Sequence, residues 1–308
     1  MKIFVAGATG VLGRAAVPQL IAAGHEVRGV ARSPEKAEQL RAQDAEPVAV
    51  DVFDHGAMTA AVAGCEIVIH MATHIPPLRR AWRVSAWATN DRLRREGTHV
   101  MVEAALATGA TRFIKESVCF SYPDRGDQWI DEDTPLDDPA ILDATRDAEQ
   151  TALSFTGDGR VGVVLRFGLF YSADARATEE GLSVARRGMS PLLGPAEAYQ
   201  PSIHVDDAAS AIVAALSAPP GAYIVADEPI TKGQWNSAFA EAFGIGRRLR
   251  PTPKIVLKAS RNKVGALAKS WRVSSARFRA ATGWEPHYPD ARVGLKAVAA
   301  EWKARTGD

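Results

Sequence analysis

From Met1 to Ser117 the chain alternates short β-branched runs with longer stretches at helical spacing, the pattern of βαβ units that build a parallel sheet. Lys2–Ala6, Glu26–Ala31, Pro47–Val50, Glu66–Met71 and Arg112–Ser117 read as strands, nearly continuous in apolar residues as expected where helices cover both faces. Helices are expected at Val11–Ala23, Pro34–Ala42, His55–Ala63 and Asp91–Thr108. Ser33, Asp54 and Asn90 stand where N-caps belong, and Gly24 and Gly109 where C-terminal caps belong. Beyond Ser117 the alternation loosens into Tyr122–Asp127 and an acidic run, Asp131-Glu132-Asp133. A helix at Asp138–Phe155 and a strand at Val161–Phe167 follow. The last third mixes helices (Val205–Leu216, Lys232–Phe243) with a strand (Ala222–Ala226) and proline-rich connections. The fold class is therefore α/β: a doubly wound parallel sheet over residues 1–167, then a smaller mixed lobe over 168–308, some of whose segments return to the first domain.

Composition excludes several classes. With 46% hydrophobic and 24% charged residues, and 37 Lys and Arg against 36 Asp and Glu, the chain is neither globally disordered nor a polyelectrolyte binder. The start, Met1-Lys2-Ile3-Phe4-Val5-Ala6, is interrupted by glycines and Arg14 before a signal-peptide core could form, and no apolar run approaches a membrane span. A cytoplasmic protein with no membrane partner is expected. Cys65 and Cys119 lie far apart with no Cys/His cluster, so they are expected as buried thiols in a reducing compartment, with no metal site. One asymmetry remains: Ala242–Trp284 carries eleven Lys or Arg and no Asp or Glu. It reads as a solvated face or an anion-binding wall of the lobe, and it lacks the interleaved aromatics of a nucleic-acid site.

The strongest chemical signal is Gly7-Ala8-Thr9-Gly10-Val11-Leu12-Gly13, directly after the first strand and opening the first helix. In that context one glycine permits the tight turn, the next lets the backbone approach a pyrophosphate, and the third lets helix and strand pack closely. The helix N-terminus adds unpaired N–H groups and its dipole. Dinucleotide binding through Gly7, Thr9, Gly10, Val11, Leu12 and Gly13 follows. At the end of the second strand, Arg32 and Ser33 stand where an acidic residue would select the free ribose 2′-hydroxyl. A guanidinium and a hydroxyl there suit a 2′-phosphate instead, so NADP(H) is expected over NAD(H). Asp51 and Val52, after the third strand, either face the adenine or simply lead into the next helix.

The Gly-x-x-Gly-x-x-Gly spacing resembles that of the extended short-chain dehydrogenase/reductase superfamily, of the NAD-dependent epimerase/dehydratase type. Further resemblances follow in the same order: Val68-Ile69-His70-Met71-Ala72-Thr73, Glu96-Gly97-Thr98, Arg112-Phe113-Ile114, Leu165-Arg166-Phe167-Gly168, Ser202-Ile203-His204-Val205-Asp206-Asp207-Ala208 and Thr282-Gly283-Trp284-Glu285-Pro286. The resemblance implies a Rossmann domain holding the cofactor, with Met71, Ala72 and Thr73 lining it, a lobe closing over a small-molecule substrate, and a homodimer. It also puts Ser117 at the catalytic Ser/Thr position. The superfamily's Tyr-x-x-x-Lys pair is missing: counting back from Asp147-Ala148-Glu149, its slots hold Ile141 and Thr145, and no Tyr-x-x-x-Lys occurs elsewhere. Substitute proton donors are Tyr122, His74, or a carboxylate among Asp143, Asp147 and Glu149. Helix geometry puts the first two carboxylates on one face and Glu149 well round the cylinder, with Arg146 placed to ion-pair with Asp143. Trp82, Trp87, Trp129 and Phe170 are candidates to line an apolar pocket or to pack the lobe. Three functions remain open: an NADP(H)-binding oxidoreductase or epimerase-like enzyme with a nonstandard proton donor; a non-redox isomerase, lyase or cyclase in the same cleft; and a noncatalytic NADP(H)-sensing regulator.

Overall fold

The computed structural model describes residues 1–77, 80–81, 83–137, 142–251 and 267–307. Its core is a seven-stranded, wholly parallel sheet built from β1 (Lys2–Ala6), β2 (Glu26–Val30), β3 (Glu46–Val48), β4 (Ile67–His70), β5 (Arg112–Val118), β7 (Val161–Phe167) and β11 (Gly221–Val225). The order is β11-β7-β5-β4-β1-β2-β3, so the winding reverses between β1 and β4. Such a reversal opens a crevice at the carboxyl ends of the strands, where ligands of doubly wound sheets bind.

Side chains alternate across the sheet and each face has its own core. Ile3, Val5, Ile69 and Leu165 pack under α1 (Val11–Ala22) and α8 (Val205–Ala214). Phe4, Val68, Phe113 and Val164 pack under α3 (His55–Val62), α5 (Thr98–Thr108) and α6 (Asp143–Leu153). Each fully buried Ile, Leu or Phe contributes roughly 1.5–3 kcal/mol, so the two faces hold the frame rigid. Ser33 caps α2 (Pro34–Arg41) and Asp54 caps α3, as their spacing predicts. Pro18 lies inside α1 and cannot donate to the Arg14 carbonyl, which instead accepts from Gln43 Nε2 at 3.5 Å.

Two expectations are corrected. Asn90 is not an N-cap: α4 (Ala88–Arg92) has already begun, and the buried Asn90 Oδ1 accepts from the His74 backbone N–H at 3.1 Å. The helix expected over Asp91–Thr108 is also not continuous, because α4 and α5 are joined by a π-helical turn at Leu93–Gly97. This wider turn places Leu93, Arg94, Gly97 and Thr98 all on buried positions. The strand of the last third, at Gly221–Val225, extends the main sheet beside β7.

The C-terminal lobe packs α7 (Arg176–Arg186), α9 (Lys232–Ala242) and α11 (Ala291–Thr306) around Leu182, Trp235, Phe239, Leu295 and Val298. Here α10 is Ala276–Thr282. Two short pairs, β8 (Leu169–Tyr171) with β10 (Ser202–His204) and β9 (Tyr199–Gln200) with β12 (Ile230–Thr231), lie in the same part of the chain, and a short parallel pair, β6 (Trp129–Ile130) with β13 (Arg272–Val273), ties the segment after β5 to this lobe. The acidic run and the basic stretch meet at this junction: Arg277 pairs with Glu132 and Asp133, and Lys269 with Asp137. Arg272 stacks on Trp129 and Tyr199, 4.3 and 5.0 Å from their ring centroids. The part of the basic stretch at 252–266 lies outside the described residues.

Candidate functional site: a dinucleotide crevice above a buried ionic layer

The glycine loop has the geometry that its spacing predicts. Gly7 has φ +91°, and a Cβ there would stand 2.6 Å from the Ala72 nitrogen at the end of β4. A Cβ on Gly13 would stand 2.1 Å from the Gly7 carbonyl oxygen. Gly10 is exposed, and as the extended N-cap residue of α1 it offers no side chain to the first-turn N–H groups. The first turn also has no acidic side chain. These donors and the positive end of the helix are therefore left for an anion, which is what a pyrophosphate requires. Thr9 and Val11 are half-buried and Leu12 is buried. Arg14 fixes the loop to the lobe, pairing with Asp174 at 2.5 Å and reaching the Thr9 carbonyl at 3.4 Å.

Arg32 is exposed beside this loop with no ion pair among the described residues, whereas the Ser33 hydroxyl accepts from Lys36 N in its capping role. Asp51 is exposed and accepts from Phe53 N, while Val52 is buried in the core under α3 and α5. Met71 is buried, Ala72 half-buried, and Thr73 and His74 exposed, in sequence out of β4 towards solvent.

Beneath the carboxyl ends of β4, β5 and β7, on the α5–α6 side, lies an ionic layer that sequence reasoning largely missed. Ser117 and Arg166 are register partners on β5 and β7. The Ser117 hydroxyl donates to Glu149 Oε1 at 2.5 Å. Arg166 donates to the same carboxylate through Nε at 3.1 Å and Nη2 at 2.6 Å, and through Nη1 to the Tyr122 hydroxyl at 2.6 Å. The Tyr122 carbonyl in turn accepts from the Trp271 indole at 2.8 Å, so the lobe is wired to the layer. Burial raises the Tyr122 pKa further above its ordinary value, although Arg166 pulls the other way. Burial lowers that of Arg166, and Glu149 more than reverses the effect.

A second group adjoins. The Lys115 ammonium donates to the Glu116 carbonyl at 2.5 Å, and Lys115 and Arg94 each stand 3.6 Å from the Glu116 carboxylate. Burial pulls Lys115 down to about 8, with Glu116 opposing. His70 contacts the Leu93 carbonyl through Nε2 at 3.3 Å and accepts from Ala72 N through Nδ1 at 3.3 Å, an arrangement that requires the neutral ring. Burial and then the Lys115 charge hold its pKa well below 6.5.

The structure thus brings Ser117 and Tyr122 into one network, while His74 stands apart on the segment after β4. Of the three carboxylates on α6, Asp143 pairs with Arg146, Asp147 pairs with Arg95, and Glu149 alone is buried. Glu149 shares its face with Ala144, Thr145, Ala148 and Ala152, a helical stripe that the sequence displays. Lys115 and Glu116 were likewise visible as charges inside a strand expected to be covered on both faces. Ile141 lies outside the described residues; Thr145 is buried. Trp82 also lies outside them, while Trp87 donates to the Ala81 carbonyl, Trp129 is exposed and Phe170 packs on Phe167. Cys65 and Cys119 are buried free thiols.

Residues 7–219 match the family described as NAD(P)H-binding. The chain belongs to this family, within the extended short-chain dehydrogenase/reductase superfamily. A curated family relative from Streptomyces, 3-diazoavenalumate denitrifying reductase, is 32% identical over 96% of this chain and 99% of its own length. Human epimerase family protein SDR39U1, crystallised with NADPH, superposes with a TM-score of 0.80 at 24% identity over 97% of this chain and 99% of that one. UDP-glucose 4-epimerase of Thermotoga maritima with UDP-glucose reaches 0.80 at 21% identity, covering both chains fully. The two structures establish the family's fold for the whole chain. Among the described residues no helix is long and apolar enough to cross a membrane.

Proposed function

We propose that this chain is an NADPH-dependent reductase that passes hydride to a small organic electrophile needing no proton from the enzyme. The observation carrying this reading is the state of the groups near the superfamily's acid–base position. Thr145 replaces the lysine, the Ser117 proton is committed to Glu149, and Arg166 occupies both Glu149 and the Tyr122 oxygen. A buried carboxylate saturated by a guanidinium is a poor proton carrier, and a tyrosine whose pKa is raised is a poor one near neutrality.

Bound NADPH supplies the hydride. Gly7, Gly10 and Gly13 with the first turn of α1 hold its pyrophosphate, Arg32 with Ser33 takes the 2′-phosphate, and Met71, Ala72 and Thr73 border the crevice. The exposed segment at 73–75 and the loop from Glu116 to Asp127 flank the substrate side. A substrate class with matching chemistry is the arenediazonium ion. Hydride forms a C–H bond, the C–N bond breaks, its electron pair leaves with dinitrogen, and no proton moves. The Streptomyces relative's name, a denitrifying reductase of a diazo compound, supports that class.

The test is NADPH oxidation against a panel of arenediazonium salts, ketones and nucleotide sugars, with NADPH deuterated at the transferred position. Deuterium in the arene, with a rate insensitive to deuterated solvent, is the expected result. Turnover confined to ketones or nucleotide sugars would refute the reading. Arg32→Ala is expected to cut the preference for NADPH over NADH by roughly tenfold or more, since a charged hydrogen bond contributes about 1.5–3 kcal/mol. An unchanged preference would remove Arg32 from the 2′-phosphate site.

A further inference from the structure

We propose that the buried ionic layer makes the site favour reduced over oxidised nicotinamide, by holding one more positive charge than it neutralises beneath the carboxyl ends of β4 and β5. The inference rests on the NAD(P)H-binding assignment and concerns which form of that cofactor the site prefers.

The charge count carries the argument. Among the described residues the layer holds Arg94 from the π-helical turn, Lys115 from β5 and Arg166 from β7 against Glu116 from β5 and Glu149 from α6, all less than a tenth exposed. His70 from β4 adds no charge, because its two ring nitrogens have opposite hydrogen-bond roles. Glu149 is fully engaged by Arg166 and Ser117. That leaves Glu116 alone to balance both Lys115 and Arg94, at 3.6 Å from each. The mismatch is visible in the hydrogen bonding: Arg94 Nη1 and Glu116 Oε2 are buried with no hydrogen-bond partner among the described residues. An uncompensated buried cation is costly, and buried polar atoms without partners are uncommon enough to need a reason.

The location gives one. Dinucleotides lie across the crevice at the carboxyl ends of these strands. A nicotinamide ring is neutral when reduced and carries one positive charge when oxidised. A fixed buried cation nearby acts equally on the phosphates of both forms but repels only the oxidised ring, and an interaction of this kind through protein is worth on the order of tenfold in affinity. For a reductase this arrangement loads the reduced cofactor and expels the spent one. The groups acting on Lys115 are His70, Arg94, Glu116 and Glu149, and Lys115 is the group brought to about 8. Raising the pH through that value removes the surplus charge and with it the preference.

The experiment measures dissociation constants of NADPH and NADP⁺ by calorimetry on the full chain, at about pH 7 and about pH 9. The same titrations are made on Lys115→Met and Glu116→Gln. At neutral pH the wild type is expected to bind NADPH more tightly. Lys115→Met lowers the NADP⁺-to-NADPH ratio of dissociation constants by roughly tenfold, and Glu116→Gln raises it. Alkaline pH lowers the ratio in the wild type and in Glu116→Gln, which keep Lys115, and leaves it unchanged in Lys115→Met. A ratio that stays within about twofold across pH in the wild type overturns the inference even where both variants misfold, as does a shift of the same sign in the two variants. Failure of the wild type to bind either form would instead overturn the cofactor assignment.

Discussion

Replacing Glu149 by alanine removes a carboxylate that accepts three hydrogen bonds from Arg166 and one from Ser117. The side chains of Arg166 and Glu149 are 9% and 4% exposed, so the guanidinium left behind cannot be rehydrated without opening the space between α6 and the sheet. Breaking a buried pair from one side costs about 3–5 kcal/mol. An exposed pair such as Arg92–Glu96, with side chains 53% and 55% exposed, is worth about 0–1 kcal/mol. With an unfolding entropy of about 2.1 cal/mol/K per residue, Glu149→Ala in a chain of 308 residues should lower Tm by roughly 5–8 °C, and Glu96→Ala by less than about 2 °C. The double variant Glu149→Leu/Arg166→Met removes both charges and should recover at least half of the loss, because an apolar pair of similar volume needs no desolvation of ions. Scanning calorimetry of the four proteins checks this. A Glu149→Ala loss no larger than that of Glu96→Ala, or a double variant as unstable as the single, would show that the layer is hydrated and would refute the reasoning.

Other consequences are equally direct. Gly13→Ala puts a methyl 2.1 Å from a backbone oxygen. It should cost about 1–3 kcal/mol of stability and weaken NAD(P)H binding more than about tenfold, measured by melting and titration; retention of both would mean that helix and strand separate freely. His70 is held neutral, with a folded-state pKa well below 6.5. Its contribution is therefore present above pH 6.5 and lost as pH falls, with a slope of up to about 1.4 kcal/mol per pH unit. The stability gap between wild type and His70→Gln should narrow between about pH 7 and about pH 5, and parallel melting curves would exclude a titrating His70.

Much of this molecule is legible in the chain. The strand and helix periods, the caps at Ser33 and Asp54, and the glycine loop are local: each depends on residues within one or two turns of one another, so spacing alone carries the information. The paired halves of the ionic layer are not local. Lys115, Glu116 and Glu149 each signalled themselves, as charges in a strand covered on both faces or on a small-residue stripe, yet nothing in their spacing says which partner each meets. Arg94 gave less warning, because it faces inward through a π-helical turn that the helical period does not reveal. Asn90 misled for the same reason, since a residue suited to capping was used instead to hold the His74 backbone across the crevice edge.

By itself, then, the sequence determined the parallel α/β sheet and a phosphate-binding loop, because these follow from hydrophobic period and from the absence of side chains at three glycines, whereas the strand order came from the tertiary structure. Only the tertiary structure decided that Ser117, Tyr122, Glu149 and Arg166 form one saturated network, and that the acidic run at 131–133 answers basic residues of the last third. Charge pairing depends on distances across the sheet and between helices that sequence separation does not encode. In a buried layer those distances decide whether a hydroxyl or carboxylate is free to move a proton or is held in place by its neighbours.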